Sequence, residues 1–499
     1  MKRLILDIAN LSIFKNSKPL LHSSSLVVKN GECVGLFGDS GSGKSVFSLF
    51  LLGLLNRSVF TVSGGSAVFF KRDGSTFNLF SKNETDWNSF RSSNISLIFQ
   101  DPSAALNPTI KCGSQIEEVL FFSKNKKTEC LQLLDEVDLV DSVRVYNSFP
   151  HELSGGEKQR VVIAIALASN PDFLIADEPT TSLDPLTQRG ILDLIMRIVK
   201  SRSIGVLLIS HNLELVDFFC DRIYFFYNGG FYLKKSSLGE SYFNKKNSVL
   251  NSIKNRQSRD FLKKTPLFEL SNVSVLFNSS FFPLKNISFS LFRGEILGVV
   301  GGSGSGKTTL GRVLCGLQKI HSGSFKKKQD VDFIKKNVQL VYQDPFSSFN
   351  PKHTVGDAVF EIIKLYKTKH TVEGLFKKVQ LDVFLINRYP HELSGGQKQR
   401  VSIARVLASN PQVIVFDESL SGLDIETQYS ILKLIKSISN KLNISIVFIS
   451  HNMRSVYYLC DRVVVLKRGT IVDSFYGNDF FSKKRNSFTK KIINDALFL

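Results

Sequence analysis

"GDSGSGKS" at residues 38–45 and "GGSGSGKT" at residues 301–308 are one phrase written twice in a chain of 499 residues. Each follows a short apolar run, "CVGLFG" or "ILGVVG", and precedes a segment with helical character. A glycine turn between a buried strand and a helix lets successive backbone N–H groups converge on phosphate oxygens, and the helix N-terminus adds positive potential. The pattern nominates Gly38, Asp39, Ser40, Gly41, Ser42, Gly43, Lys44 and Ser45 as one phosphate cradle. Gly301, Gly302, Ser303, Gly304, Ser305, Gly306, Lys307 and Thr308 form the other. Lys44 and Lys307 are placed to reach the outer phosphates, and Ser45 and Thr308 to offer a hydroxyl to Mg²⁺.

The duplication runs far beyond the cradles. "PHELSGGEKQRVVIAIALASNPDFLIADE" (150–178) is answered by "PHELSGGQKQRVSIARVLASNPQVIVFDE" (390–418), and "LLISHN" (207–212) by "VFISHN" (447–452), at a constant offset of 240 residues. The cradle lysines are 263 apart, so the second copy has lost residues between its cradle and "YQDP". That loss is expected in a peripheral sheet and its loops, where deletions are tolerated. The polar stretch 233–265 reads as the end of copy one plus a connector, and "LFELSNVSVLF" then restarts the strand pattern of "LILDIANLSIF". The division expected is a first domain over 1–250, a linker over 251–265 and a second domain over 266–499. Apolar runs alternating with helical segments give each copy a mostly parallel sheet with helices on its faces, an α/β fold.

Other residues in this pattern carry chemistry. Asp177 and Asp417 close buried strands ("FLIADE", "VIVFDE") where a carboxylate can hold Mg²⁺. The adjacent Glu178 and Glu418 suit a carboxylate that orients and polarises attacking water. His211 and His451 end further strands and point to the same sheet edge, where ligands collect. Gln100 and Gln343, in "IFQDP" and "VYQDP", are candidates to bridge metal and water. Ser154, Gly155, Gly156 and their counterparts Ser394, Gly395, Gly396 head helices in "LSGG", offering a hydroxyl and free N–H groups to an anion.

P-loop, glutamine, "LSGGxxQR", "DE", "LD" and "SH" in this order resemble the nucleotide-binding domain of ATP-binding cassette (ABC) proteins, twice, over nearly the whole chain. "DPSAALNP" and "DPFSSFNP", "PHELSGG", and the contrast of "DEPTTSLDPLTQ" with "DESLSGLDIETQ" resemble the two ATPase subunits of peptide/nickel importers, here fused. The resemblance implies tandem P-loop NTPase domains, each with a mostly parallel core sheet, a small antiparallel β subdomain and a helical signature subdomain. It implies ATP and Mg²⁺ as ligands and head-to-tail packing. One site would join Lys44, Ser45, Asp177, Glu178 and His211 to Ser394, Gly395 and Gly396; the other would join Lys307, Thr308, Asp417, Glu418 and His451 to Ser154, Gly155 and Gly156. Asp184 and Asp424 of "LD" would lie at that interface. Phe277 matches the aromatic residue that stacks on adenine, and Phe14 is displaced by one residue. Ser419 departs from the proline found at Pro179 but leaves both acids in place. The His-Pro-Tyr tail of this importer class is absent, with weak echoes at 246–255 and 486–497, and no cysteine set for an iron–sulfur cluster accompanies it.

Composition is compatible with these readings: 43% hydrophobic, 22% charged, net charge +20. The basic residues are scattered, which favours solvated loops, with a lipid-facing role second. Six cysteines without a CxxC pair point to a reducing compartment, and Cys220 and Cys460 occupy matching contexts, "FFCDR" and "YLCDR". The longest apolar run, 46–55, is half of a membrane span, and the start does not resemble a signal peptide. The expected role is an ATPase peripheral on the cytoplasmic face of the inner membrane. It would drive two separate permease subunits and, through them, an extracytoplasmic solute-binding protein, with no direct nucleic-acid contact. The competing reading is a soluble tandem-cassette ATPase acting on ribosomes or RNA, which such a charge permits but the short polar connector disfavours.

Overall fold

The computed structural model describes residues 3–39, 42–81, 83–121, 123–180, 183–241, 243–244, 266–277, 281–327, 337–342, 349–482 and 484–497. Ser40, Gly41, Gln343, most of "DPFSSFNP", the tail echo at 246–255 and the connector expected over 251–265 lie outside the described residues. The chain divides into two compact units, one drawn mainly from Met1–Leu183 and Thr187–Lys245, the other mainly from Lys246–Leu497.

In the first unit the central sheet has six strands in the order Gly230–Leu233, Arg222–Tyr227, Cys33–Gly38, Gly205–Ser210, Phe173–Asp177, Ile95–Ile98. All neighbours are parallel except the outer pair Arg222–Tyr227 and Gly230–Leu233. Every residue of Cys33–Gly38 and Gly205–Ser210 is buried, because both sheet faces are covered and period-2 side chains enter a core on either side. Val34 and Leu36 join one core with Leu207, Ile209, Phe173 and Phe47; Cys33 and Phe37 join the other with Val206, Leu208, Leu174 and Ile163.

The first of these cores is roofed by a five-stranded sheet containing the antiparallel pair Leu4–Lys15 and Lys18–Lys29, to which Ser66–Phe70, Thr76–Asn78 and Phe60–Ser63 are added. On the other face, helices Cys112–Val119, Lys126–Glu136, Ser142–Asn147 and Gly155–Ala168 gather around Ile116, Cys130, Leu134 and Val145.

The second unit repeats this plan. Its central order is Val338–Val341, Val413–Asp417, Ser445–Ile449, Ile296–Gly301, Arg462–Lys467, Thr470–Tyr476, again parallel but for the last pair. Its roofing sheet has three strands among the described residues, Phe281–Phe292, Pro266–Phe277 and Ser322–Lys327. The shortening of copy two therefore falls in this peripheral layer.

The matched "CDR" stretches have a packing reason. Gly35 has no room for a side chain: a Cβ there would run into Val216 and come within 2.9 Å of Cys220 Sγ. Gly298 faces Val456 and Cys460 in the same way, at 3.0 Å from each. The next residue, Asp221 or Asp461, accepts a hydrogen bond from the first backbone N–H of the P-loop strand, 2.9 Å in both units. The arginine after it reaches back to an acid on the turn before that strand, Arg222 Nη2 to Glu32 Oε2 at 2.8 Å and Arg462 Nε to Glu295 Oε1 at 2.8 Å. These ties fix the strand that presents the glycine loop.

Candidate functional site

Three strands end side by side at one sheet edge in each unit, and the register decides what meets there. Phe37 pairs with Ser210 and Asp177 with Ile209, so the glycine loop, Asp177–Glu178 and His211 leave the sheet together. In the second unit Ile449 pairs with both Val299 and Asp417, which brings the glycine loop, Asp417–Glu418 and His451 to the matching edge.

Helices Lys44–Leu51 and Lys307–Leu314 begin directly on the loops, each preceded by a glycine in the left-handed region, Gly43 at φ 110° and Gly306 at φ 99°. A Cβ on Gly306 would also come within 2.8 Å of Leu284 Cδ2, so a residue with a side chain is excluded there twice over. Lys44 Nζ donates to the carbonyls of Gly38 at 2.7 Å and Asp39 at 2.8 Å. Lys307 Nζ does the same to Gly301 at 3.0 Å and Gly302 at 2.9 Å. Both ammonium groups are thus fixed over the loop. Burial pulls the Lys44 ammonium below its ordinary value, opposed by the nearby charges of Glu178, Asp177 and Asp39.

The acids follow. Burial raises the Asp177 carboxyl above its ordinary value, reinforced by Glu178 and opposed by the hydroxyls of Ser45 and Ser48 and by Lys44. Burial likewise raises Asp417, and the Thr308 hydroxyl, donating to its Oδ1 at 3.3 Å, opposes it. A desolvated carboxylate beside a hydroxyl on the first helical turn is a fitting ligand pair for a hard divalent cation.

Glu178 and Glu418 both stand in the left-handed region, φ 49° and 47°, where a non-glycine residue costs roughly 1–2 kcal/mol. Their N–H groups still donate to the neighbouring strand, to Ile209 O at 2.9 Å and Ile449 O at 3.0 Å, so the chain leaves the ladder within one residue. Strain at the same position in both copies marks a backbone held for a task. Glu178 contacts His211 Nδ1 at 3.0 Å and accepts from Gln100 Nε2 at 3.1 Å. Glu418 lies 3.4 Å from His451 Nδ1 and 3.6 Å from Lys307 Nζ. Burial would push Glu418 up, but His451 and Lys307 outweigh it and hold its carboxyl below the ordinary value, ionised at neutral pH.

The signature serines cap the helices Gly155–Ala168 and Gly395–Leu407, with Ser154 Oγ accepting from Glu157 N and Ser394 Oγ from Gln397 N, both at 3.3 Å. The stretch "PHEL" before each is a 3₁₀ turn in which the glutamate accepts from the preceding aromatic residue's N–H, Phe149 at 2.8 Å and Tyr389 at 2.7 Å. Ser154, Gly155, Ser394 and Gly395 are exposed. Asp424 caps helix Ile425–Leu442 through Thr427 N at 2.9 Å. Phe277 closes its strand half-buried, and Phe14 sits in the middle of the roofing layer, paired with Pro19 and Thr61.

Each unit therefore unites its lysine, hydroxyl, aspartate, glutamate and histidine. Sequence reasoning missed the left-handed turn at the glutamates and Ser48 beside Asp177; the hydroxyls of Ser42 and Ser305, both expected in the cradles, are shut off from solvent and find no hydrogen-bond partner among the described residues. No periodicity signals a positive φ at glutamate. The serines were legible as loop members, and their orphaned hydroxyls inside a cradle of N–H groups fit a phosphate ligand.

The ABC transporter family model matches residues 21–181 and 284–421. The chain belongs to the ABC transporter family. Its relatives include the glutathione import ATP-binding protein GsiA of Pectobacterium atrosepticum, 30% identical over 98% of this chain and 89% of the relative. GsiA of Escherichia coli K12 is 31% identical over 94% and 85%. The fold is also that of an archaeal ribosome recycling factor, aABCE1, with a TM-score of 0.63 and 22% identity over 92% of this chain and 89% of the other. This ABC protein is an ATPase with two ATP-binding cassettes in one polypeptide, and among its described residues no helix is long and apolar enough to cross a membrane.

Proposed function

We propose that this ABC ATPase energises import of peptides or a related small solute through two separate membrane permease subunits fed by an extracytoplasmic binding protein, and sits on the cytoplasmic face of the inner membrane. The observation that carries the reading is that each of two units brings a lysine, a hydroxyl, an aspartate, a glutamate and a histidine to one sheet edge, in a chain whose kinship with glutathione import ATP-binding proteins extends over nearly its whole length. In each set the lysine and glycine-loop N–H groups hold the outer phosphates. Ser45 with Asp177, and Thr308 with Asp417, would hold Mg²⁺, which neutralises charge on the phosphates. Gln100, and by analogy Gln343, would reach toward the same cation.

Glu178 and Glu418 accept a hydrogen bond from the attacking water and polarise it, and His211 and His451 fix those carboxylates and contact the outer phosphate. Phe277 is placed to stack on adenine. Each ATP would be completed by the signature of the opposite copy, Ser394–Gly396 for Lys44 and Ser154–Gly156 for Lys307, so that ATP draws the two cassettes together and hydrolysis releases them.

The test is reconstitution with the permease subunits in vesicles: ATP-dependent uptake of glutathione or a short peptide is expected. Failure to associate with any permease, together with RNA binding that falls steeply with salt, would overturn the importer reading in favour of a ribosome-directed ATPase. The likeness to the archaeal recycling factor is one of fold and does not favour that alternative.

A further inference from the structure

We propose that Glu157 makes the first unit's signature the weaker of the two phosphate clasps, so that ATP seated on Lys307 is held less tightly than ATP seated on Lys44. The inference rests on the reading above, in which each signature completes the opposite copy's site.

The two clasps share a backbone and differ in one acid. In the first, Ser154 N donates to Glu157 Oε2 at 2.9 Å, and the Ser154 hydroxyl also gives its proton to that carboxylate at 2.8 Å. The same hydroxyl accepts from Glu157 N, so both its donor and an acceptor lone pair are committed. In the second, Gln397 stands where Glu157 does. Ser394 N donates to its Oε1 at 2.9 Å, and Ser394 Oγ accepts from Gln397 N. Among the described residues the Ser394 hydroxyl proton has no acceptor, so it is available to a phosphate oxygen.

The charge difference runs the same way. Glu157 is paired with Arg144, itself nearly half exposed, whereas the equivalent of Arg144 at the 240-residue offset is Phe384, an exposed ring. Acid and arginine are thus exchanged together for a neutral amide and a phenyl group. Burial raises Glu157, but Ser154 and Arg144 outweigh it, so it stays ionised at neutral pH. A phosphate bound by the Ser154 hydroxyl must therefore take a proton already shared with a carboxylate, and must sit beside that like charge.

The test uses the full chain with Glu178→Gln and Glu418→Gln to stop hydrolysis, and Mg-ATP as the titrated ligand. Lys44→Ala leaves only the Lys307 seat, and there Glu157→Gln is expected to tighten ATP about tenfold. Lys307→Ala leaves only the Lys44 seat, where Glu157→Gln is expected to change nothing and Gln397→Glu to weaken binding about tenfold. Glutamine at 157 supplies what the second copy already carries at that place, and a single cooperative melting transition close to the parent's verifies the fold. No change in either background overturns the role of Glu157. A Glu157→Gln effect confined to the Lys307→Ala chain overturns the reciprocal pairing itself.

Discussion

Around Asp177 the first unit gathers two hydroxyls, Ser45 and Ser48, while around Asp417 the second gathers Thr308, because Gly311 stands where Ser48 does. A Cβ on Gly311 would come within 2.9 Å of Ile449 Cδ1, although the equivalent Ile209 stands in the unit that carries Ser48. The glutamates face matching residue types. Glu178 meets Gln100 and His211 and acts on the Lys44 ammonium, and Glu418 meets His451 and Lys307. Backbone geometry is kept to within a few degrees at these glutamates while the hydroxyls beside the neighbouring aspartates differ. A duplicated site is thus constrained first in where the chain turns and only then in how each group is held.

The comparison breaks most readily at the glutamates. Replacing both Glu178 and Glu418 by glutamine should cut ATP turnover by about 10²–10⁴-fold while Mg-ATP binding persists. The two single variants, measured in steady state, sharpen the contrast by showing how much turnover each corner carries. Normal turnover in the double variant would remove both residues from water activation.

A smaller effect is expected at the tight strand–helix contacts. Gly35→Ala should destabilise its unit by about 1–3 kcal/mol, because the added methyl runs into Val216 and Cys220. Gly298→Ala, whose methyl meets its neighbours at 3.0 Å, should cost less. Denaturant unfolding of the two variants checks the order.

The smallest effect concerns acid. Glu157 lies below its ordinary value in the folded chain, so its stabilising contribution is complete above that value of 4.5 and is lost as pH falls below it. Glu157→Gln should lower melting slightly at neutral pH and remove this part of the acid sensitivity, as melting curves at pH 7 and pH 4 would show. Gln397→Glu should add such sensitivity to the second unit.

Much of this was legible in the sequence because the decisive residues are tied to backbone. Glycine loops, fully apolar strands such as Cys33–Gly38, and acids at strand ends write the central sheet and its working edge directly. The 240- and 263-residue offsets located the loss in copy two correctly, in the layer reduced from five strands to three described ones. What stayed hidden depends on tertiary approach. The left-handed turn at Glu178 is forced by the neighbouring strand, and the service of Ser48 to Asp177 spans 129 residues. "LSGG" reads as the same clasp twice because the capping partner, Glu157 or Gln397, lies just outside the phrase.

If one polypeptide holds two working ATP seats, the number of Mg-ATP molecules retained per chain carrying Glu178→Gln and Glu418→Gln will show it. Two are predicted, falling to one when either Lys44 or Lys307 is changed to alanine. A count of one before either lysine is touched would mean that only one seat works.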